Sequence, residues 1–186
     1  MISALPAAFR TPRLLAQRLD ERHLDDLERP YAERAVTDWL GGGRTRAEVA
    51  EWLVTSVESH WEERGFGLFA LYDRQGRPAP STFVGRAGLT VAAPDVCAAL
   101  GEPEAVELLY ALMPSHWGRG YATEIGRQLT GLALGPLDLE SVIAYTLPGN
   151  VRSRRVLEKC GFAEEGEVVH EELPHVLFRR RRGRTR

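Results

Sequence analysis

The sequence predicts a mixed α/β domain in which antiparallel strands come first and a parallel crossover follows. Three observations carry this prediction. Two β-rich runs, Phe66 to Tyr72 and Thr82 to Val91, flank a Gly76/Pro78/Pro80 connection suited to a hairpin. Between residues 105 and 161 the pattern becomes strand, helix, strand, helix. A Gly-x-Gly turn, Gly118-Arg119-Gly120, joins the first of those strands to its helix.

The elements follow in order. Arg13 to Leu19 has strand length, and Asp20 is placed to cap a short helix through Leu24 and Leu27 that Pro30 should stop. After Gly41-Gly42-Gly43, Val49, Leu53, Val57 and Trp61 recur at helical spacing, and Gly65 ends that helix. A loop with Pro94, Gly101 and Pro103 follows the hairpin, and Ala105 to Met113 forms a third strand closed by Pro114. Tyr121, Ile125, Leu129 and Leu132 make one apolar helical stripe, stopped by Gly135-Pro136. Leu139 to Thr146 is β-branched and aromatic. Asn150 opens a helix through Val156, Leu157 and Cys160, and Gly161 is its expected left-handed closing residue. Phe162 to Val169 and His175 to Phe178 read as a final strand pair, giving about four helices in all.

With 186 residues, 44% of them apolar and 27% charged, the chain has the makeup of one soluble domain with a core of its own. Its uncharged stretches fall short of the roughly 20 residues of a membrane span. Met1 to Phe9 lacks the charged lead and apolar core of a secretory signal. Cys97 and Cys160 form no metal-type cluster, and the five histidines show no metal spacing. A reduced, cytoplasmic protein without a metal is expected. Net charge is −2, but the segment Arg179 to Arg186 carries six arginines and no acid, so residues 1–178 carry −8. The basic segment reads as a solvated, poorly ordered terminus rather than a nucleic-acid contact.

Two motifs carry chemistry. In Leu112-Met113-Pro114-Ser115-His116-Trp117-Gly118-Arg119-Gly120-Tyr121-Ala122-Thr123-Glu124, an apolar strand meets two glycines and then a helix. Glycine permits positive φ and close backbone approach, so successive N–H groups can converge on an anion at a helix N-terminus. A Gly-x-Gly alone is also found in plain strand–helix turns. About 30 residues on, Asn150-Val151-Arg152-Ser153 leads to Leu157-Glu158-Lys159-Cys160-Gly161-Phe162. An Asn N-cap and a Gly C-cap account for its ends but not for its pairing with the first motif.

Together these residues resemble the GNAT acyl-CoA-dependent N-acetyltransferases, and more closely the branch of ribosomal-protein N-terminal acetyltransferases. Trp117-Gly118-Arg119-Gly120-Tyr121-Ala122-Thr123-Glu124 matches the branch's pyrophosphate loop, and Asn150 to Phe162 matches the family's Asn-x-x-Ser…Leu-x-Lys-x-Gly-Phe signature. Thr11-Pro12-Arg13-Leu14-Leu15 is similar to the branch's opening strand. The resemblance spans residues 11–178, leaving an N-terminal extension (1–10) and an Arg-rich tail (179–186). Trp117 stands where the family has Gln or Arg, the stretch from Ala92 to Glu104 is long, and Cys160 replaces an apolar residue.

The resemblance implies a GNAT fold: a mixed, mostly antiparallel sheet with a V-shaped splay, opened by a bulge, between two central parallel strands. It implies acetyl-CoA as cosubstrate and direct attack by a primary amine in a ternary complex. Backbone groups of Gly118, Arg119, Gly120, Tyr121, Ala122 and Thr123 would hold the pyrophosphate. Pantetheine would lie against the 105–113 strand near Leu112, with Asn150 bonding its arm. His116 could touch a phosphate, although a surface histidine is the plainer reading, and Arg154 and Arg155 are further phosphate candidates. Glu107 aligns with an acidic position of the branch and is the candidate base; an edge-exposed Glu in ordinary alternation is the competing reading. Ser153 is the candidate proton donor to the CoA sulfur, against a helix hydroxyl bonded to a backbone carbonyl. Tyr145 and Tyr121 read as packing residues. The Tyr31–Gly43 connection with Trp39, and the Glu167–Pro174 turn, are implied to shape the acceptor pocket. The acceptor is a protein N-terminus or a small-molecule amine, and a homodimer is common in the branch. A catalytically silent acyl-CoA sensor is the alternative function.

Overall fold

The structure is a computed structural model that describes residues 4–75 and 82–183. The expected Gly76/Pro78/Pro80 connection and residues 184–186 lie outside the described residues. Eight strands form one sheet: β1 (Ala8–Arg10), β2 (Leu14–Arg18), β3 (Leu68–Asp73), β4 (Thr82–Val91), β5 (Val106–Leu112), β6 (Ser141–Thr146), β7 (Ala163–His170) and β8 (Leu173–Arg181). Their spatial order is β1-β2-β3-β4-β5-β6-β8-β7. Every adjacent pair is antiparallel except β5 and β6, which run parallel.

Helices α1 (Leu24–Ala32), α2 (Arg34–Thr37), α3 (Arg46–Trp52) and α4 (Ser59–Arg64) precede β3; α5 (Pro94–Leu100), α6 (Tyr121–Leu134) and α7 (Val151–Lys159) follow β4. Asp20 and His23 form a reciprocal capping box around a 3-10 turn ahead of α1. Pro30 lies inside α1 and does not stop it. Its missing N–H falls in a helix of nine residues, so few intrahelical bonds are lost. A π turn, Leu53–Glu58, joins α3 to α4. It accounts for the spacing of Val49, Leu53, Val57 and Trp61. A strict four-residue repeat drifts by about 40° per step on an α-helix, and the wider π turn cancels the drift so that all four stay buried.

The stretch between β4 and β5, expected as a loop, contains α5. Pro94 opens it, Gly101 closes it at φ 65°, and Val96 and Cys97 point into a small core beside β7 and β8. Helix α6 buries Tyr121, Ile125, Leu129 and Ala133 against the middle of the sheet. The end of α7 packs against it through Cys160, whose sulfur lies 2.9 Å from where a Cβ on Gly126 would stand, so a larger residue there would displace the thiol.

Both expected termini are corrected. Leu5 is buried and donates its N–H to the Gly65 carbonyl at 2.8 Å, and β1 pairs with β2, so the boundary at residue 11 falls inside a hairpin. At the other end Arg179 to Arg181 complete β8 rather than forming a disordered tail. Arg179 is 6% exposed and bonds Glu102 and Glu165, each at 2.9 Å. Arg180 donates to the Cys160 carbonyl, Arg181 pairs with Glu165 and Arg182 with Asp138. Acids distant in sequence neutralise a run that looks uncompensated when read linearly.

Candidate active site

The parallel pair β5/β6 places the site. Its one registered partner pair is Glu107↔Ile143. Beyond it the strands diverge, and a cavity of about 790 Å³ opens along Leu108–Leu112 and Ala144–Thr146. The splay expected from the resemblance is present, but not by way of a bulge in β5. That strand keeps unbroken register with β4 from Val91↔Val106 to Gly85↔Leu112. Divergence of two twisted strands, with the wide crossover through α6 between them, opens the gap.

Side chains alternate along β5, so the splay has two chemically distinct faces. Leu108 and Tyr110 point toward α6 and α7: Leu108 lies beside Gly126, and the Tyr110 hydroxyl sits 2.9 Å from Ser153 Oγ and donates to the Ser153 carbonyl at 3.2 Å. Glu107 points to the opposite face. There Thr90 Oγ1 donates to its carboxylate at 3.1 Å, and the Tyr145 hydroxyl lies near enough to influence its ionisation. Burial pushes the Glu107 carboxyl above the usual carboxylate range; the Thr90 hydrogen bond, the nearby Tyr145 hydroxyl and the charges of His170 and Arg86 only partly oppose it. Burial also raises the Tyr145 hydroxyl, and the neighbouring Glu107 charge adds to it.

Tyr145, expected to be packing alone, therefore touches the candidate base. Its ring also stacks edge-on with His170 at 5.3 Å and His175 at 5.6 Å, and His170 Nδ1 lies 3.0 Å from Asp95. Thr90, Tyr110, Tyr145 and His170 were not singled out as site residues in the sequence, because each is brought to Glu107 or Ser153 only by the assembly of the sheet or the docking of α7 on it. The two segments expected to shape an acceptor pocket do line the cavity, through Tyr31, Trp39 and Gly41 and through His170, Glu171 and Leu173.

The loop before α6 has the backbone its sequence suggests. Gly118 and Gly120 adopt φ 73° and 80°, and at Gly118 a Cβ would meet nothing within 4 Å. The first helical bond runs from Glu124 N–H to the Gly120 carbonyl. The preceding amides of Tyr121, Ala122 and Thr123 are therefore orphan donors at a helix start, beside the cavity that Trp117 and Ala122 line. Trp117, where the family has a polar residue, sends its indole N–H to the Leu112 carbonyl at 2.7 Å and lies under Arg152. Arg13 Nη1 donates to the Arg119 carbonyl at 2.7 Å and Arg13 Nε to Glu124 at 2.6 Å. Asn150 caps α7 by accepting from Ser153 N–H at 3.1 Å, and it too lines the cavity.

Other expectations move. His116 is not a surface residue but 7% exposed, packed on Tyr121, and burial lowers its pKa. Arg154 pairs with Glu164 on β7. Ser153 Oγ bonds a tyrosine hydroxyl rather than the backbone carbonyl of the competing reading. Among the described residues no group of three or more His, Cys, Asp or Glu could hold a metal ion, and no helix is long and apolar enough to cross a membrane.

The sequence model of a family described as acetyltransferase (GNAT) domain matches residues 13–163. YoaA of Bacillus subtilis, described as an uncharacterized N-acetyltransferase, is 33% identical over 60 residues. That match covers 32% of this chain and 34% of YoaA, so the chain spans about a third of that relative's length. The acetyltransferase from Agrobacterium tumefaciens superposes with TM-score 0.77 at 20% identity, covering 95% of each chain. Spermidine N-acetyltransferase from Vibrio cholerae, solved with CoA and spermine, superposes with TM-score 0.70 at 15% identity over 92% of this chain and 97% of that one. At these identities the two structures establish a shared fold.

Proposed function

The chain belongs to the GNAT acetyltransferase family, and on that premise we propose that it transfers an acetyl group from acetyl-CoA to a primary amine by direct attack in a ternary complex. The observation that carries the reading is the position of Glu107: a carboxyl with a raised pKa at the point where β5 and β6 part, on the face opposite the amide cradle. Acetyl-CoA supplies an activated carbonyl with a thiolate as leaving group.

The residues fit such a cosubstrate. Orphan amides from Gly118 to Thr123 and the positive end of the α6 dipole suit a diphosphate. The unpaired edge of β5 between Leu109 and Leu112 suits the pantetheine amides, although the Leu112 carbonyl already receives the Trp117 indole. Asn150 would bond the same arm, and a β5 N–H would meet the developing oxyanion. Arg119, exposed on the loop, is the side chain placed for a phosphate.

A protonated amine has a pKa of about 10 and cannot attack until it loses a proton. Glu107 takes it, directly or through water, because its raised pKa matches it better to a base at neutral pH. The nitrogen then bonds the carbonyl carbon and gives up its second proton to solvent as the carbon–sulfur bond breaks. The departing sulfur takes a proton from the Ser153 hydroxyl, which Tyr110 hydrogen-bonds and solvent resupplies. One proton is released overall. Burial raises the Tyr110 hydroxyl, so it stays protonated and able to donate at neutral pH. The resemblance to ribosomal-protein acetyltransferases supports a protein N-terminus as acceptor, and the cavity volume admits a small-molecule amine as well.

Calorimetry with acetyl-CoA, followed by a thiol-release screen against N-terminal peptides and small amines, tests the proposal. Binding followed by amine-dependent thiol release is expected. Absence of heat with CoA overturns it, and binding without release from any amine favours the silent sensor.

A further inference from the structure

Arg86 on β4 is 8% exposed and lines the cavity, and among the described residues its guanidinium has no hydrogen bond and no ion pair. It lies 5.7 Å from the Tyr31 ring centroid and 5.1 Å from that of Trp52, and its charge is felt at Glu107 without an ion pair. Arg44 approaches the same two rings at 5.5 and 5.3 Å. The acids on this cavity, Asp38, Glu107 and Glu171, do not come within ion-pair distance of Arg86. A guanidinium has five donors in a fixed fork that fits a carboxylate two bonds at a time. A cation held on aromatic faces with its donors open to the cavity and unspent on protein groups is built for a partner that arrives.

Its location says which partner. Arg86 registers with Ala111 and Thr90 with Glu107, so Arg86 shares a sheet face with the candidate base, four residues further along β4. The amide cradle lies across the sheet, on the α6 and α7 side. An anion at Arg86 therefore belongs to the acceptor and not to CoA. We propose that the acceptor is an amine that also carries a carboxylate, with Glu107 facing the amine and Arg86 holding the acid. The proposal rests on the acetyl-transfer reading above and adds the substrate class. It disfavours polycations, which would bring positive charge against an unpaired buried cation.

The test uses thiol release with ω-amino carboxylates from glycine to 6-aminohexanoate, dipeptides with acidic or neutral second residues, the matching ω-amino amides, and spermidine. It compares the wild-type chain with Arg86→Gln and Arg86→Lys. For one family of carboxylate-bearing amines, kcat/KM is expected to exceed that of the amides at least about tenfold, as a charge-assisted bond implies. Arg86→Gln should erase that preference through KM, Arg86→Lys should retain part of it, and the Kd for acetyl-CoA should not move. Whether free amino acids or acidic peptides respond identifies the source of the carboxylate. A preference for amides or spermidine, or one that survives in Arg86→Gln, overturns the assignment. If no amine is acetylated, the transfer reading fails instead, and binding decides the anion site. Carboxylate probes titrated into the CoA-loaded protein should change the fluorescence of Trp52 beside Arg86, and loss of that response in Arg86→Gln upholds the site. A response unchanged in Arg86→Gln, or none in the wild type, sinks it.

Discussion

Arg13 and Glu124 join the first hairpin to the start of α6: Arg13 Nε meets the Glu124 carboxylate at 2.6 Å, and Arg13 Nη1 holds the Arg119 carbonyl inside the Gly-x-Gly loop. Thr11 and the Arg13 N–H also donate to Glu124. Two motif fragments more than 100 positions apart thus form one clamp that fixes the amide cradle before any ligand arrives. Glu124→Gln should lower stability by about 1–3 kcal/mol, the cost of unpairing part-buried donors to a charged group. At about 2–4 °C per kcal/mol for this chain length, calorimetry resolves the shift. Acetyl-CoA affinity should fall in parallel. Burial works against ionisation of Glu124, yet the hydrogen bonds from Thr11 and Arg13 win and its pKa is lowered. Its contribution is therefore present above the ordinary glutamate pKa and lost as pH falls through the lower folded one. The stability gap between wild type and variant should close in acid.

Glu107→Gln should reduce kcat by about 10²–10⁴-fold while leaving the Kd for acetyl-CoA unchanged. Because burial raises the Glu107 pKa, the wild-type kcat/KM should rise with pH through an acid limb above the ordinary glutamate range. The variant should lack that limb. Stability moves the other way: a carboxyl with a raised folded pKa stabilises at low pH and loses that contribution as pH rises through the folded value. Glu107→Gln should therefore be at least as stable as wild type at neutral pH, and a melting curve at two pH values checks it. Unchanged turnover removes Glu107 from the base role.

Tyr110→Phe and Ser153→Ala should each slow turnover by about 10²-fold if the pair protonates the leaving sulfur, the lower end of a single acid–base contribution. The double variant should be little worse than either single one, because residues that act as one unit are not additive. A thioester with a more acidic leaving thiol should narrow the defect. Equal defects with both thioesters point to packing and not proton supply.

Gly118→Ala isolates the backbone conformation of the cradle. A Cβ there meets no atom within 4 Å, so the substitution costs only its positive φ, about 1–2 kcal/mol. If relaxation of the loop relieves that strain, the amides lose their convergence. Acetyl-CoA affinity should then drop about tenfold, the equivalent of roughly 1.4 kcal/mol, with the melting temperature nearly unchanged. Calorimetric titration with CoA measures it.

Most of the fold was legible because its signals are short-range. The β-rich runs of β4 and β5, the four-residue stripe from Val49 to Trp61, the Asn150 and Gly161 caps and the glycine pair at 118 and 120 each act within a few residues of themselves. The misreadings had other causes: Pro30 is tolerated inside a short helix, and α5 is hidden because Val96 and Cys97 face a satellite core built by β7 and β8. The Arg179 to Arg182 run looked free because its acids, Glu102, Asp138 and Glu165, sit on other elements.

By itself the sequence determined most of the element order, the glycine turn before α6 and the placing of Glu107 on the strand leading to it, since periodicity, capping and glycine stereochemistry are properties of neighbouring residues. Only the tertiary structure decided what surrounds them. Thr90 and Tyr145 reach Glu107, Tyr110 reaches Ser153, and Arg86 is left on two aromatic rings without an acid because of strand register and helix docking. Burial and charge pairing are sums over atoms from distant parts of the chain, and the linear order of residues does not contain them.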